Sequence, residues 1–178
     1  MRFKSLIIIL LVCGCTEKKK LNSQLPQNVS SKLEAIDIDF LPFDSVTEEL
    51  EYIFPSARET VEITELEIDE CETLLRETLA NYNKESEENF NRIKKEHPNA
   101  EIDISDVTIN LKDYSRQYIV VQEAGAKLVY INFYCGHLDS EIRKYKLIDP
   151  FDGGKCYFKI KIDLNAKKVL DFSVNSLG

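Results

Sequence analysis

Residues 118–134 read YIVVQEAGAKLVYINFY. Two runs rich in β-branched and aromatic residues flank the small residues of 124–126, a pattern typical of an antiparallel hairpin. A second hairpin is predicted near the C-terminus, where Asn165-Ala166-Lys167 forms the turn between a first arm from Tyr157 to Leu164 and a second arm at 169–174. The two hairpins predict four antiparallel strands.

One amphipathic helix is predicted before these hairpins. From Asp69 the apolar period is close to 3.6, and Asp69 with Glu72 offers a capping box at the helix start. Pro98 ends the helix. The stripe that would face the core consists of Cys71, Leu74, Leu75, Thr78, Leu79, Tyr82, Ser86, Phe90 and Ile93.

Shorter patterns predict further elements around this helix. A short helix is expected to begin at Ser45 and to end at Pro55. Alternating apolar residues predict a bent strand over residues 61–68 and strand structure over residues 102–111.

A long helix followed by consecutive hairpins predicts an α+β fold. The expected arrangement is one long helix packed on a curved antiparallel sheet of four or more strands, an architecture that resembles cystatin-like and NTF2-like folds. Residues 33–178 would form this single domain, since 43% apolar and 10% aromatic residues suffice for one core. A likeness at the level of the fold implies no activity.

The N-terminus carries an export signal. Arg2 and Lys4 precede an apolar run that is too short to span a membrane. Residues 12–15, Val-Cys-Gly-Cys, resemble a lipobox, so residues 1–14 are predicted to be a lipoprotein signal peptide and Cys15 the lipidated residue, with Cys13 as second choice. An ordinary secretory signal is the alternative.

Residues 15–32 are predicted to be a lipid anchor and flexible linker that attaches the domain to a membrane. The leader resembles those of Bacteroidetes lipoproteins, in which acidic residues after the cysteine accompany export to the cell surface. Lysines follow Glu17 here, which favours an outer-membrane protein that faces the periplasm. Loss of Arg2 and Lys4 with the signal changes the formal charge from −8 to −10, which argues against a nucleic-acid partner.

Four strings occur in order in the C-terminal half: YSRQY at 114–118, VYINFYC at 129–135, DGGKCYF at 152–158 and FSVN at 172–175. They resemble a family of small uncharacterised Bacteroidetes lipoproteins whose domain ends with DGG, CYF and VNG-type strings. Ser176 stands where that family tends to have glycine. The resemblance implies a secreted, lipid-anchored α+β domain and no catalytic residues.

The cysteines carry the most specific chemistry. Cys135 ends one predicted strand and Cys156 begins another, and antiparallel neighbours bring such ends together. In the oxidising cell envelope this predicts a Cys135–Cys156 disulfide, with reduced buried thiols as the alternative. Cys71, on the apolar stripe, is predicted to be a small core residue.

Enzymatic and metal sites are less well supported. A hydrolase would need Cys135 or His137 to meet an acidic residue such as Asp139 or Glu141 in one pocket. A zinc site from Cys135, His137 and Cys156 lacks the usual paired spacings. The loop at residues 149–154 offers two carboxylates, Asp149 and Asp152, but its Asp-Gly-Gly sequence is more typical of a turn than of a calcium site. No catalytic residue, metal or cofactor is predicted.

The sequence therefore favours a non-enzymatic binding or accessory module, tethered to the envelope through Cys15, with an unknown protein or small-molecule partner. Contact would be made by the sheet face or by residues 136–151, and exposed aromatic residues would support this function. The aromatic candidates are Tyr130, Phe133, Tyr134, Tyr145, Tyr157 and Phe158. A small hydrolase that uses Cys135 and His137, and an immunity or inhibitor protein, are the alternatives.

Overall fold

The structure is a computed structural model that describes residues 33, 35–43, 50–57 and 59–176. The signal peptide, the lipidation residue Cys15, the whole linker and the predicted start of the first short helix lie outside the described residues. At the end of that segment, residues 51–53 and 55–56 form turns.

Five strands form one sheet in the order β1-β2-β3-β4-β5. Strands β2 to β5 are antiparallel neighbours, and β1 adds to the edge of the sheet in parallel with β2. Both predicted hairpins and the α+β class are confirmed, whereas β1 is a strand that the sequence did not predict. The strands are β1 (Ile38–Phe40), β2 (Tyr114–Glu123), β3 (Ala126–Cys135), β4 (Tyr157–Asp163) and β5 (Lys168–Val174).

The β2–β3 hairpin closes with two residues, Ala124 and Gly125, because Glu123 pairs with Ala126. Both turn residues have positive φ angles, 49° and 86°, as expected for a turn whose twist matches that of the flanking strands. The small residues in the sequence therefore mark the turn correctly.

One long helix, α1 (Glu65–Glu96), has its N-cap at Thr64, five residues before the N-cap that the sequence pattern predicts at Asp69. The Thr64 hydroxyl accepts a hydrogen bond from the Glu67 backbone N–H, and the Glu67 carboxylate accepts one from the Thr64 backbone. Ile68 is buried on the helix stripe. The predicted strand over residues 61–68 is therefore wrong: residues 61–64 are irregular, with an isolated bridge from Thr60 to Val121 just before them, and the helix occupies the rest because the Thr64–Glu67 capping box competes with strand pairing.

Residues 102–111 do not form a strand. Two short 3-10 turns, Ile104–Asp106 and Leu111–Asp113, occupy this segment and its end. The Asn83 side chain donates to the Ile109 carbonyl and accepts from its N–H, both at 2.8 Å. This side-chain amide satisfies the backbone of a buried residue that a neighbouring strand would otherwise have to pair.

The sheet is covered on both sides. Side chains of β2, β3 and β4 alternate between the face that packs on α1, here called the helix face, and the opposite outer face. On the outer face a second core forms under residues 41–43 and 50–57 and under Leu147. The short helix α2 (Ser140–Arg143) lies in the loop that follows β3.

The helix face contains one buried ion pair. Arg116 of β2, fully buried, donates to the carboxylate of Glu72 on α1, and the Tyr118 hydroxyl donates to the same oxygen at 3.1 Å. The Arg116 guanidinium also lies 5.3 Å from the centre of the Phe133 ring. Apolar side chains therefore surround this buried pair, and nearer the surface Lys127 of β3 makes a second ion pair across the same face, with Glu67 of α1 at 2.7 Å.

Candidate functional site

The two cysteines predicted to pair lie together in the structure. The Sγ atoms of Cys135 and Cys156 are 2.13 Å apart, and their Cα atoms 5.0 Å. Cys71 is buried in the core, and burial, followed by the nearby Glu72 carboxylate, raises the pKa of its thiol to about 12. A thiol in this environment is neutral at physiological pH, as expected of a structural residue.

The structure does not assemble the residues of the hydrolase alternative into one pocket. The Sγ atom of Cys135 is paired with that of Cys156 and is therefore not available as a nucleophile. His137 is exposed and its Nδ1 lies 3.1 Å from a carboxylate oxygen of Asp37, whereas Asp139 caps α2 by accepting from the Glu141 N–H. Within the described residues, no group of three or more metal-ligating side chains is close enough to hold an ion.

The loop at residues 149–154 has the geometry of a turn. Gly153 has a φ of 98°, and a Cβ atom there would lie 2.6 Å from the Tyr157 ring, so both the backbone and the close contact require glycine. The Asp149 carboxylate, a possible calcium ligand, instead accepts from Lys159 at 2.9 Å through each oxygen and from the Tyr52 hydroxyl. Its charge is thus balanced by a lysine.

A binding site on the sheet face would require exposed aromatic residues, but most of the predicted candidates are buried. Tyr145 is 63% exposed and Tyr157 is half-buried, while the other four candidates, Tyr130, Phe133, Tyr134 and Phe158, are buried. Two aromatic residues that the sequence did not single out are exposed: Tyr52, at 70%, and Phe151, completely. The sequence feature that could have indicated the exposure of Phe151 is its position between Pro150 and the Asp-Gly-Gly turn.

A pair of amide side chains positions the loop that carries Phe151. On the outer face, Gln117 of β2 donates to the carbonyls of Arg143 and Lys146, both at 2.7 Å, and accepts from the Ile148 N–H at 2.9 Å. Asn132 of β3 donates to the Ile148 carbonyl at 2.7 Å. Buried side chains of two central strands thus fix the backbone of the loop.

Next to this loop the outer face is open. Two adjacent depressions, of about 470 Å³ and 220 Å³, share the side chains of Tyr52 and Lys159 as lining residues, and we call them together the outer cleft. The larger one also contacts Phe151 and Asn175, and the smaller one contacts Tyr130. The larger volume falls within the range of small-molecule sites.

Charges in the outer cleft and next to it are balanced. Lys159 faces Asp149, and Lys161 lies 3.9 Å from Glu123 and opposite Asp171 in the β4–β5 register. The exposed Lys146 also lines the larger depression. The Lys161 ammonium also donates to the Ile53 carbonyl and lies 4.6 Å from the centre of the Phe54 ring. Counted with Glu123, three lysines and three carboxylates have no net formal charge.

The floor of the smaller depression contains the side chain of Tyr130. Its hydroxyl is buried and has no hydrogen-bond partner among the described residues. Burial, and to a smaller extent the charge of Asp149, raises the pKa of this phenol, so it remains a neutral group that can donate and accept.

Comparisons with known protein families, with curated proteins and with solved structures found no match for this chain. The fold and the outer cleft define a small α+β protein with a mixed aromatic and polar surface depression. The likeness to cystatin-like and NTF2-like folds stays a prediction. Among the described residues, none of the helices is sufficiently long and apolar to cross a membrane.

Proposed function

We propose that this protein is a lipid-anchored, non-enzymatic binding module of the bacterial envelope and that the outer cleft is its ligand site. The observation that carries the proposal is the pair of exposed aromatic side chains, Tyr52 and Phe151, that line a depression in an otherwise well-covered sheet. Exposed apolar rings are costly to leave in water, and grouped around a depression they mark interaction sites.

The way in which the loop is held supports a binding role. Ligand contacts in proteins are often made by loops that a rigid scaffold positions. Here Gln117 and Asn132 tie residues 143–148 to the two central strands, and Asn175 donates to the Pro150 carbonyl next to Phe151. The cleft is therefore formed before a ligand arrives, which lowers the entropic cost of binding.

The proposed anchor rests on the sequence at residues 1–32. Lipidation at Cys15, followed by a flexible linker, would place the folded domain at the outer membrane on its periplasmic side. Cys15→Ala tests this part directly, with Cys13→Ala as the matched control. We expect the first variant to lose metabolic labelling with palmitate and to leave the membrane fraction, whereas the second keeps both.

The ligand site is tested by screening the full chain against a library of neutral, cationic and anionic small molecules and short peptides. We expect at least one class to bind, and both Tyr52→Ala and Phe151→Ala to weaken that binding by about tenfold, as for an aromatic anchor. Tyr145→Ala removes an equally exposed aromatic ring that does not line the cleft, and should leave binding unchanged. Equal effects of all three substitutions would refute the assignment of the site.

A further inference from the structure

We propose that the outer cleft binds a neutral, hydroxyl-rich ligand, that is, a saccharide. This inference rests on the proposed function and adds the chemical class of the ligand. Three properties of the cleft lead to it: balanced charge, exposed flat rings, and a floor that offers both donors and acceptors.

The charge balance argues against a strongly charged ligand. Asp149 already accepts from Lys159 through both oxygens, and Lys161 lies 3.9 Å from Glu123. At Lys159 an anion would have to compete with Asp149, and a cation would have to compete with Lys159 for Asp149. Lys146 and Asp171 add one charge of each sign to the lining, so neither sign dominates. A neutral ligand can use the remaining hydrogen-bonding capacity without separating either pair.

The exposed rings of Tyr52 and Phe151 suit one face of a sugar ring. A pyranose presents several C–H bonds on one side, and their slightly positive hydrogens are attracted to the electron-rich face of an aromatic ring. The same contact removes apolar area of Tyr52 and Phe151 from water. Both rings line the larger depression of the cleft.

The hydroxyl groups of a sugar each need a donor and an acceptor, and the cleft supplies both. In the described contacts the Lys159 ammonium uses two of its three protons on Asp149, which leaves one for a ligand. The Tyr130 hydroxyl is buried without a partner in the described part of the chain, in the smaller depression that Lys159 and Lys161 also line. A ligand hydroxyl that reaches it would relieve the cost of an unsatisfied buried group.

The test measures binding of neutral trisaccharides to the full chain by isothermal titration calorimetry. The probes are maltotriose, cellotriose, mannotriose and triacetylchitotriose, with trigalacturonic acid as an acidic counterpart. The detergent must be non-glycosidic, such as an amine oxide, because sugar headgroups would occupy the site. We expect at least one neutral probe to bind with a dissociation constant between about 1 µM and 1 mM, and the acidic one to bind more weakly.

Variants connect that binding to the cleft. Tyr52→Ala and Phe151→Ala should each weaken it by about tenfold and Tyr145→Ala by less than about twofold. Tyr130→Phe removes one buried hydroxyl and should weaken binding several-fold. It should not lower the melting temperature, because that hydroxyl has no partner in the described residues.

The outcomes separate the two proposals. Absence of binding by all neutral probes up to about 10 mM, with a peptide or ion that binds in a Tyr52-dependent way, would overturn the saccharide inference and leave the binding module intact. Saccharide binding that Tyr52→Ala and Phe151→Ala leave unchanged would overturn the assignment of the ligand to this cleft. If no compound of any class binds, both proposals fail.

Discussion

The two faces of the sheet are covered in different ways. On the helix face, the backbone N–H and C=O groups of α1 are hydrogen-bonded within the helix. Apolar side chains such as Leu75 and Leu79 can therefore pack directly on β2, β3 and β4. On the outer face, irregular segments provide the cover, and their backbone groups must find partners. Gln117 and Asn132, both buried, supply these partners from the strands.

This difference explains where a binding site can form. A helix laid along a sheet leaves space mainly at its ends, as in the depression of about 270 Å³ beside the start of α1, whereas loops held at a few points leave depressions between the points. The helix face carries the Glu72–Arg116 pair inside an apolar core and the less buried Glu67–Lys127 pair near the start of α1, whereas the outer face carries two lysine–carboxylate pairs around the cleft. Stability is expected to depend mainly on the first face and ligand binding on the second.

The strongest test of this comparison is to break the ion pair on the helix face. Arg116→Met leaves the Glu72 carboxylate buried without its main partner, and we expect the free energy of unfolding to fall by about 3–5 kcal/mol. Urea denaturation measures the loss. Arg76→Met is the control, because Arg76 lies 3.8 Å from the same carboxylate but is half exposed, and its removal should cost less than about 1 kcal/mol.

A double variant sharpens this test. Glu72→Leu combined with Arg116→Met replaces both charges by apolar side chains. It should recover most of the lost stability if desolvation is the cause. A double variant that is as unstable as Arg116→Met would show instead that packing around the guanidinium, including its contact with Phe133, dominates.

Cys135 ends β3 and Cys156 directly precedes β4, and reduction of this pair measures how much it stabilises the fold. A bridge between Cys135 and Cys156, 21 residues apart, is expected to stabilise the fold by about 3 kcal/mol, chiefly because it restricts the unfolded chain. The measurement is the shift of the urea midpoint upon addition of a reductant. The Cys135→Ser/Cys156→Ser variant should be as unstable as the reduced protein and insensitive to reductant.

Peptide-resolved alkylation reports the state of the same cysteines. In denaturant without reductant, we expect Cys71 to be labelled and Cys135 and Cys156 to remain protected. Labelling of all three under these conditions would mean that the pair is not bridged.

Removal of the Gln117 side-chain amide on the outer face should destabilise the loop at residues 143–148 more than the sheet. Gln117→Leu removes two donors and one acceptor that hold residues 143–148, and we expect a loss of about 1–3 kcal/mol in unfolding free energy. Hydrogen exchange of the Ile148 amide should accelerate while amides of β3 stay protected. Gln122→Leu, an exposed position on the same strand, is the control and should change neither quantity.

The smallest effect is expected at the start of α1. Partial burial acts to raise the pKa of Glu67, but hydrogen bonds from Lys127 and Thr64 outweigh burial and hold the pKa below its ordinary value. The stability that Glu67 contributes is therefore present above the unfolded-state pKa near 4.5 and is lost as the pH falls through the lower folded-state pKa.

Glu67→Gln should cost up to about 1 kcal/mol of unfolding free energy at neutral pH and progressively less as the solution is acidified below the ordinary carboxylate range. Urea titrations over that pH range measure the difference. Glu65→Gln lies in the same helical turn and controls for the interaction with the helix dipole. An equal, pH-independent cost for both variants would contradict a specific role of the Lys127 contact.

Local patterns in the sequence predicted much of the fold correctly. Period-two runs around small turn residues predicted both hairpins, and a 3.6-residue period predicted the body of α1. These patterns succeed because they reflect backbone geometry over a few residues. They failed where side chains replaced regular pairing: Thr64 and Glu67 begin the helix early, and Asn83 satisfies the backbone of Ile109 without a strand.

The candidate site was less predictable. The sequence placed a possible contact surface in residues 136–151, which contains Phe151, but most of the aromatic residues it proposed are buried. Both β2 and β3 have buried side chains on the two faces, so their apolar runs gave no indication of which ring would reach solvent. The sequence did not predict an exposed ring at Tyr52, because its exposure depends on how residues 50–57 pack across the outer face.

Local sequence patterns specify the main elements of this protein: two hairpins, one long helix, and the strand ends at which Cys135 and Cys156 meet. That Tyr52, Phe151 and Lys159 line one cleft follows only from the packing of distant segments. The two results differ because the interactions behind them act over different separations in the chain. Hairpins and helices are specified by contacts between residues close in the chain, whereas the cleft depends on how distant segments dock on the second face of the sheet.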